Sequence, residues 1–220
     1  MLEPFGFHLS DGVLHTYLRG NEYESTAWDW NFIPGITVDY GATPLNCDGA
    51  ATSGVEAFVG GVSTGQCGVA AMRYTNPTRQ TALHWQKAWF FLQHDVQHMM
   101  VSGIASSSGA PVYTVLDQRL HNGSIMVDGS AQRQSMNSTI ALSLWHGDVG
   151  YSFPKPASLS AQFGIKTGNW SSIGTSTQPA STVVLFVAWI QPLSNIPPSL
   201  ELLTLHSTAN RASARTDNSK

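Results

Sequence analysis

Short runs of aromatic and β-branched residues, each closed by glycine or a polar bend, limit what this chain can fold into. Runs at 58–62 and 68–74 flank Ser-Thr-Gly-Gln, and runs at 88–92 and 96–101 flank a Gln-His-Asp bend, so both pairs predict hairpins. Further runs at 112–116, 124–127, 140–144, 159–163 and 183–190 keep a similar spacing. Each is too short for an independent helix, and helical periodicity is confined to a turn near 78–83. Regular short strands predict an all-β fold, a large antiparallel sandwich. A chain of 220 residues can bury one sizeable core of this kind.

Composition narrows the setting. Only 11% of the residues are charged, against about a quarter in ordinary domains, while Gly, Ser, Thr, Asn and Gln abound. That profile suits an extracellular, secreted protein, although the start, Met-Leu-Glu-Pro-Phe-Gly, carries no signal peptide. Asn122-Gly123-Ser124, Asn137-Ser138-Thr139 and Asn169-Trp170-Ser171 are N-glycosylation acceptors that fit such a setting. Cys47 and Cys67 either form one bridge or remain buried thiols. No apolar run is long enough to span a bilayer, so no membrane partner is expected. The net charge of -3 gives no basic field for nucleic acid, and any electropositive groove for a polyanion has to come from elsewhere.

One segment stands apart: Trp28-Asp29-Trp30-Asn31, followed by Phe32-Ile33-Pro34-Gly35. Indole faces stack on the C–H side of pyranose rings, and an interposed Asp and Asn exchange hydrogen bonds with ring hydroxyls, so these four residues are candidate substrate-binding groups. The other reading is architectural. Trp28 and Trp30, two apart on an extended segment, point to one face and fill core.

The eight histidines raise the question of metal. His94 and His98 echo the zinc-protease spacing, but that motif needs a helix and a Glu after the first His, whereas this stretch reads as strand, so no metal site and no cofactor are expected. His8, His15, His84, His121 and His146 read as loop or edge residues satisfied by hydrogen bonds, Tyr151 and Phe153 as same-face core, and Asp117 with Arg119 as a salt-bridged strand end.

Seven blocks stand in a fixed order: GFHLSDGVLHTYLRGNEY at 6–23, WDWNFIPGIT at 28–37, FVGGVSTGQCGVAAMRY at 58–74, QKAWFFL at 86–92, TVLDQR at 114–119, DVGYSFP at 148–154 and GNWSSI at 168–173. Together they resemble the central β-domain of polysaccharide lyase family 8, the hyaluronate, chondroitin AC and xanthan lyases. The resemblance sharpens the fold to the galactose-mutarotase-like supersandwich. It also implies β-elimination on a uronic-acid-containing, anionic polysaccharide, with this domain forming one wall of the cleft. In that family the catalytic Asn, His, Tyr and Arg lie mainly on an N-terminal α/α-toroid, so the resemblance implies that missing toroid as partner and no activity for this chain alone. Some members carry an acid just before the block matching 6–12; here only Glu3 is near, a position off, and its other reading is a frayed terminal side chain. The alternative function is a stand-alone sandwich that binds carbohydrate without cleaving it.

The end departs from the family pattern. After Ile190 the sequence turns to Gln-Pro-Leu-Ser-Asn-Ile-Pro-Pro, then one short apolar stretch, Leu200 to Leu205, then a polar run from Ser207 to Lys220, so the expected division is a sandwich domain at 1–190 and a divergent, disordered tail at 191–220. Without its last strands the sheet is expected to show an unpaired edge, as in a fragment or mis-spliced product.

Overall fold

The computed structural model describes residues 4–45, 53–78, 81–172, 176–192 and 203–209, the last stretch by its backbone alone. A 3-10 turn, Pro4–Ser10, leads into the strands: β1 (Thr37–Asp39), β2 (Val59–Ser63), β3 (Gly68–Thr75), β4 (His84–Leu92), β5 (Val96–Ala105), β6 (Val112–Leu120), β7 (Ile125–Val127), β8 (Ser130–Gln132), β9 (Met136–His146), β10 (Val149–Gly168), β11 (Ser181–Gln191) and β12 (Leu203–Ala209). Every pairing is antiparallel. Hairpin turns follow from local chemistry. His94 and Asp95, Asp128 and Gly129, and Gly147 and Asp148 all have positive φ, the conformation that two-residue turns between right-twisted strands require.

Along the ladder the order is β1-β6-β11-β10-β12-β5-β4-β3-β2, with β9 on β10 and β7 and β8 beyond it. β4 and β1 are far apart in that order, yet Trp85 Nε1 donates to the Thr37 carbonyl at 3.1 Å and Lys87 Nζ to the Gly35 carbonyl at 2.6 Å. Contact between distant strands means that the network folds back on itself, and the sandwich encloses the core between its halves. β10 joins them: its start pairs with β12 and its end with β11, across register shifts between Ser152 and Ala157 that let so long a strand bend.

The main core holds Trp89, Met99, Leu116, Leu144, Tyr151, Phe153, Leu159 and Phe186, so the expected pairing of Tyr151 and Phe153 in the core is found. A second cluster, Phe32, Ile33, Ile36, Val38, Val115 and Trp189, lies under the segment that carries the two tryptophans. Within the stretch expected as a tail, residues 203–209 pair with β5 and β10. The helical turn expected near 78–83 includes residues 79 and 80, which lie outside the described ones. No helix among the described residues is long and apolar enough to cross a membrane.

Two histidines expected at loops or edges are instead buried. His8 bonds Asp11 through Nδ1 at 2.8 Å, and His146, fully shielded at the end of β9, packs its ring 3.8 Å from that of Phe186. The cause is strand alternation, which turns position 146 inward with Leu144. His146 Nε2 accepts from the Asn122 backbone N–H and meets His121 Nδ1 at 2.9 Å, while its own Nδ1 is buried without a partner. Burial first, then the neighbouring His121 and Arg119, push its pKa down to about 3. The unfolded chain therefore takes up the proton first, so the stability from a neutral His146 is complete above its ordinary pKa of 6.5 and declines as pH falls towards 3. Between pH ~6.5 and ~4.5 the wild-type unfolding free energy should fall more steeply than that of His146→Phe, by up to about 1.4 kcal/mol per pH unit. Parallel profiles in urea titrations would show that His146 is not linked to folding.

Candidate functional site

From Asp11 to Ile36 the backbone has no regular structure, and β6 gives it several of its anchoring hydrogen bonds. Gly35 N–H donates to Val115 O, Val115 N–H to Ile36 O, and Leu120 N–H to Glu22 O. The Gln118 side chain completes the attachment: its amide donates to the carbonyls of Asp29 and Phe32 at 3.0 Å each, and its oxygen accepts from Asp29 N–H at 2.9 Å. β6 is consequently buried without interruption from Thr114 to Arg119, covered on both faces. Pro34 and Gly35 close the segment. Gly35 has φ +87, and a Cβ there would stand 2.4 Å from the Leu14 nitrogen, so only glycine fits. Gly168, at the end of β10, is confined in the same way by the backbone of Thr26 and Ala27.

Trp28, Asp29, Trp30 and Asn31 are all half-buried. The Asp29 carboxylate is held by its neighbours, accepting from Asn31 N–H at 3.0 Å, from the Asn31 amide at 3.3 Å and from the Tyr40 hydroxyl at 2.6 Å. It shapes the turn that presents the rings. Trp28 and Trp30 lie 5.9 Å apart and tilted, and the row of aromatic groups continues at both ends: Phe5 beside Trp30, and Tyr23 and His15 beside Trp28. Tyr17 closes the row, edge-on to Tyr23 at 4.9 Å and 55% exposed. The Trp28 indole N–H, His15 Nε2 and Asn31 Oδ1 are buried without a hydrogen-bond partner. Sequence reasoning missed Phe5, Tyr17 and Tyr23 and placed His15 only as a loop or edge residue satisfied by hydrogen bonds, whereas its Nε2 has no partner. The legible signal was the two-residue spacing of His15 and Tyr17 in an extended stretch.

Beneath the rings lies a buried charge pair. Arg119 Nε donates to the Asp117 carboxylate at the end of β6, so the expected salt-bridged strand end is found, and both side chains are only 1% exposed. The Tyr151 hydroxyl donates to Asp117 at 2.9 Å, and Arg119 Nη2 donates to the Tyr23 hydroxyl at 2.8 Å. Tyr23 thus joins the buried pair to the aromatic row. Burial, with the charge of Asp117, raises its phenol far above the ordinary range, which keeps it protonated. Burial likewise lowers the pKa of His15 against the opposing pull of Asp117, favouring the neutral ring.

Elsewhere, Lys87 is wholly enclosed, its ammonium bonded to Gly35 O and lying over the Trp85 ring, so that burial drives its pKa well down. Among the described residues no group of three or more His, Cys, Asp or Glu side chains is placed to hold a metal ion. His94 sits in the β4–β5 turn and His98 within β5, not on a helix. Glu3 and Cys47 lie outside the described residues, and with Cys47 the question of its bridge to Cys67. The asparagines of all three glycosylation acceptors, Asn122, Asn137 and Asn169, are exposed.

The family model described as polysaccharide lyase family 8, super-sandwich domain, matches residues 2–206. Chondroitinase-AC of Pedobacter heparinus is 32% identical over 178 residues, which cover 78% of this chain and 25% of that enzyme. The chain therefore spans about a quarter of that relative's length. A chondroitinase AC lyase whose structures include oligosaccharide complexes superposes with a TM-score of 0.79 at 27% identity, over 96% of this chain and 32% of that one. A Paenibacillus xanthan lyase superposes with a TM-score of 0.80 over 96% of this chain and 22% of that one; at 22% identity the likeness is one of fold.

Proposed function

Because this chain belongs to polysaccharide lyase family 8, whose super-sandwich domain it carries, we propose that it forms one wall of a cleft in which a uronic-acid-containing polysaccharide is cleaved by β-elimination. The observation that carries this reading is the half-buried Trp28 and Trp30 pair on a segment held rigidly by Gln118 and Gly35. Such a surface orients a sugar chain by its ring faces. Trp28 and Trp30 stack on the sugar, and Asp29, bonded to Asn31, holds the turn that places them.

Elimination needs more than a wall. A base must take the proton alpha to the carboxylate, and positioned donors must stabilise the enolate that develops. The strongest charges near the rings do not offer either service, since Arg119 and Asp117 neutralise one another inside β6 and Tyr23 holds its proton. Those groups belong to an α/α-toroid facing this wall, which makes the chain binding-competent and inactive by itself. Exposed acceptors at Asn122, Asn137 and Asn169 accord with an extracellular, glycosylated protein.

The test is direct. Mixed with hyaluronan, chondroitin or xanthan, the chain alone should release no product absorbing as an unsaturated uronate, yet should bind one of them, with affinity reduced about tenfold in Trp28→Ala or Trp30→Ala. Turnover by the isolated chain would overthrow the division of labour. Binding indifferent to both substitutions would return the indoles to the core.

A further inference from the structure

Arg19 is the sole lysine or arginine between residues 4 and 45, the stretch that carries Trp28 and Trp30. Its place is fixed by the local backbone. Glu22 accepts from the backbone N–H groups of Leu18, Arg19 and Gly20 at 2.8, 2.6 and 3.0 Å, and its own carbonyl takes the N–H of Leu120 in β6. Against the cost of partial burial, those backbone bonds lower the pKa of Glu22, so its charge is committed to the turn. Gly20 supplies the left-handed φ of +98 that the turn needs.

The turn stands beside the aromatic cluster. Tyr17, two residues before Arg19, is 55% exposed and packs edge-on against Tyr23 at 4.9 Å, and Tyr23 lies 5.8 Å from Trp28. Arg19 Nη2 donates to Asp148, in the β9–β10 turn, at 2.9 Å. Gly147, next to Asp148, abuts Arg119: a Cβ there would lie 3.5 Å from Arg119 Cδ, and Arg119 in turn bonds the Tyr23 hydroxyl. Arg19 and the rings of Tyr17 and Tyr23 are thus gathered around Arg119. Lys87 and Arg119, the cations packed beneath the segment, are buried and bonded within the protein, whereas the Arg19 side chain is 57% exposed and that of Asp148 33%. Among the described residues Asp148 is the one partner of the Arg19 guanidinium, which leaves its other donors for a further group.

We propose that Arg19 reads the carboxylate of a uronate unit lying beside Tyr17, its guanidinium exchanging the exposed bond to Asp148 for one to the sugar. The inference rests on the sugar-facing reading given above and deepens it by naming the residue that recognises the acid. Exposed ion pairs are weak, so the exchange costs little, and a planar guanidinium offers a carboxylate two parallel N–H groups. Glu24, exposed on the same loop, and Asp148 itself place negative charge around Arg19. The site therefore takes one carboxylate at one position and is no general attractor of polyanions.

Titration calorimetry of the full chain with hyaluronan oligosaccharides, and with the same oligosaccharides after carboxyl reduction, tests this. The wild type should bind the acid form about five- to tenfold more tightly than the reduced form. Arg19→Gln should bring the two within about twofold of one another by weakening the acid form alone, and Arg19→Lys, which keeps the charge but not the fork, should retain part of the preference. Asp148→Asn removes the competitor and should tighten the acid form about twofold while leaving the reduced form unchanged. Equal affinity of the wild type for both forms, or a preference that survives in Arg19→Gln, overturns the inference and leaves the sugar-facing segment standing. Failure of the wild type to bind either form defeats the sugar-facing reading itself.

Discussion

Arg119→Met should lower the unfolding free energy by about 3–5 kcal/mol, a larger loss than any surface substitution in this chain. The reason lies in what is left behind. Asp117, 1% exposed, keeps its carboxylate charge but loses the guanidinium bonded to it, and the hydroxyls of Tyr151 and Tyr23 cannot replace a full positive charge. Neutralising the survivor should restore part of the stability, so Asp117→Asn combined with Arg119→Met should be more stable than Arg119→Met alone. Urea denaturation of the three proteins provides the comparison. A cost below about 1 kcal/mol for Arg119→Met would mean that water reaches Asp117 and that the strand is not covered as described. Because Arg119 also anchors Tyr23 and the Thr16 carbonyl, the same change should disturb the aromatic row above it.

Gly35→Ala is the second large effect, and it strikes the candidate site directly. A left-handed backbone costs a residue with a side chain about 1–3 kcal/mol, and the added methyl must also displace the Leu14 backbone, which cannot turn aside as a side chain could. A loss of about 3 kcal/mol or more is expected. Gly60 in β2 supplies the contrast: a Cβ there meets nothing within 4 Å, and Gly60→Ala should change stability by no more than about 1 kcal/mol. Chemical denaturation followed by tryptophan fluorescence reads both. The near-ultraviolet circular dichroism of Gly35→Ala should change as well, since Trp28 and Trp30 ride on the displaced segment. Equal stability for the two variants would contradict the close approach of Gly35 to Leu14.

Much of the fold was legible before any coordinates. The β2–β3 and β4–β5 hairpins could be read because their information is local: alternating side chains, then Gly65 or a His94-Asp95 pair able to take positive φ. Short β1 and β12 were not visible as strands. A three-residue strand such as Thr37–Asp39 carries too little pattern, and its pairing with β6 is decided by the segment before it. The register shifts along β10 were equally hidden, because that strand answers to different partners along its length.

The site divided along the same line. Trp28 and Trp30 announced themselves by rarity and spacing, but nothing in their neighbourhood shows that Asp29 is bonded by Tyr40. Asp117 and Arg119 looked like an ordinary strand end, since a charged pair two residues apart is usually solvated. They are buried because the irregular segment from Asp11 to Ile36 lies across β6, a contact between residues about a hundred positions apart.

What the amino-acid order alone determined is the alternation of strands and turns and membership of a sandwich family, because the period of side chains along an extended backbone and the φ preferences of turn residues are properties of neighbours. Which rings share a surface, and whether a charge beneath them is free or neutralised, only the tertiary structure decided. Those outcomes depend on long-range burial, which removes water from Arg119 and Asp117, and on the packing that gathers Phe5 beside Trp30 and Tyr17 and Trp28 around Tyr23.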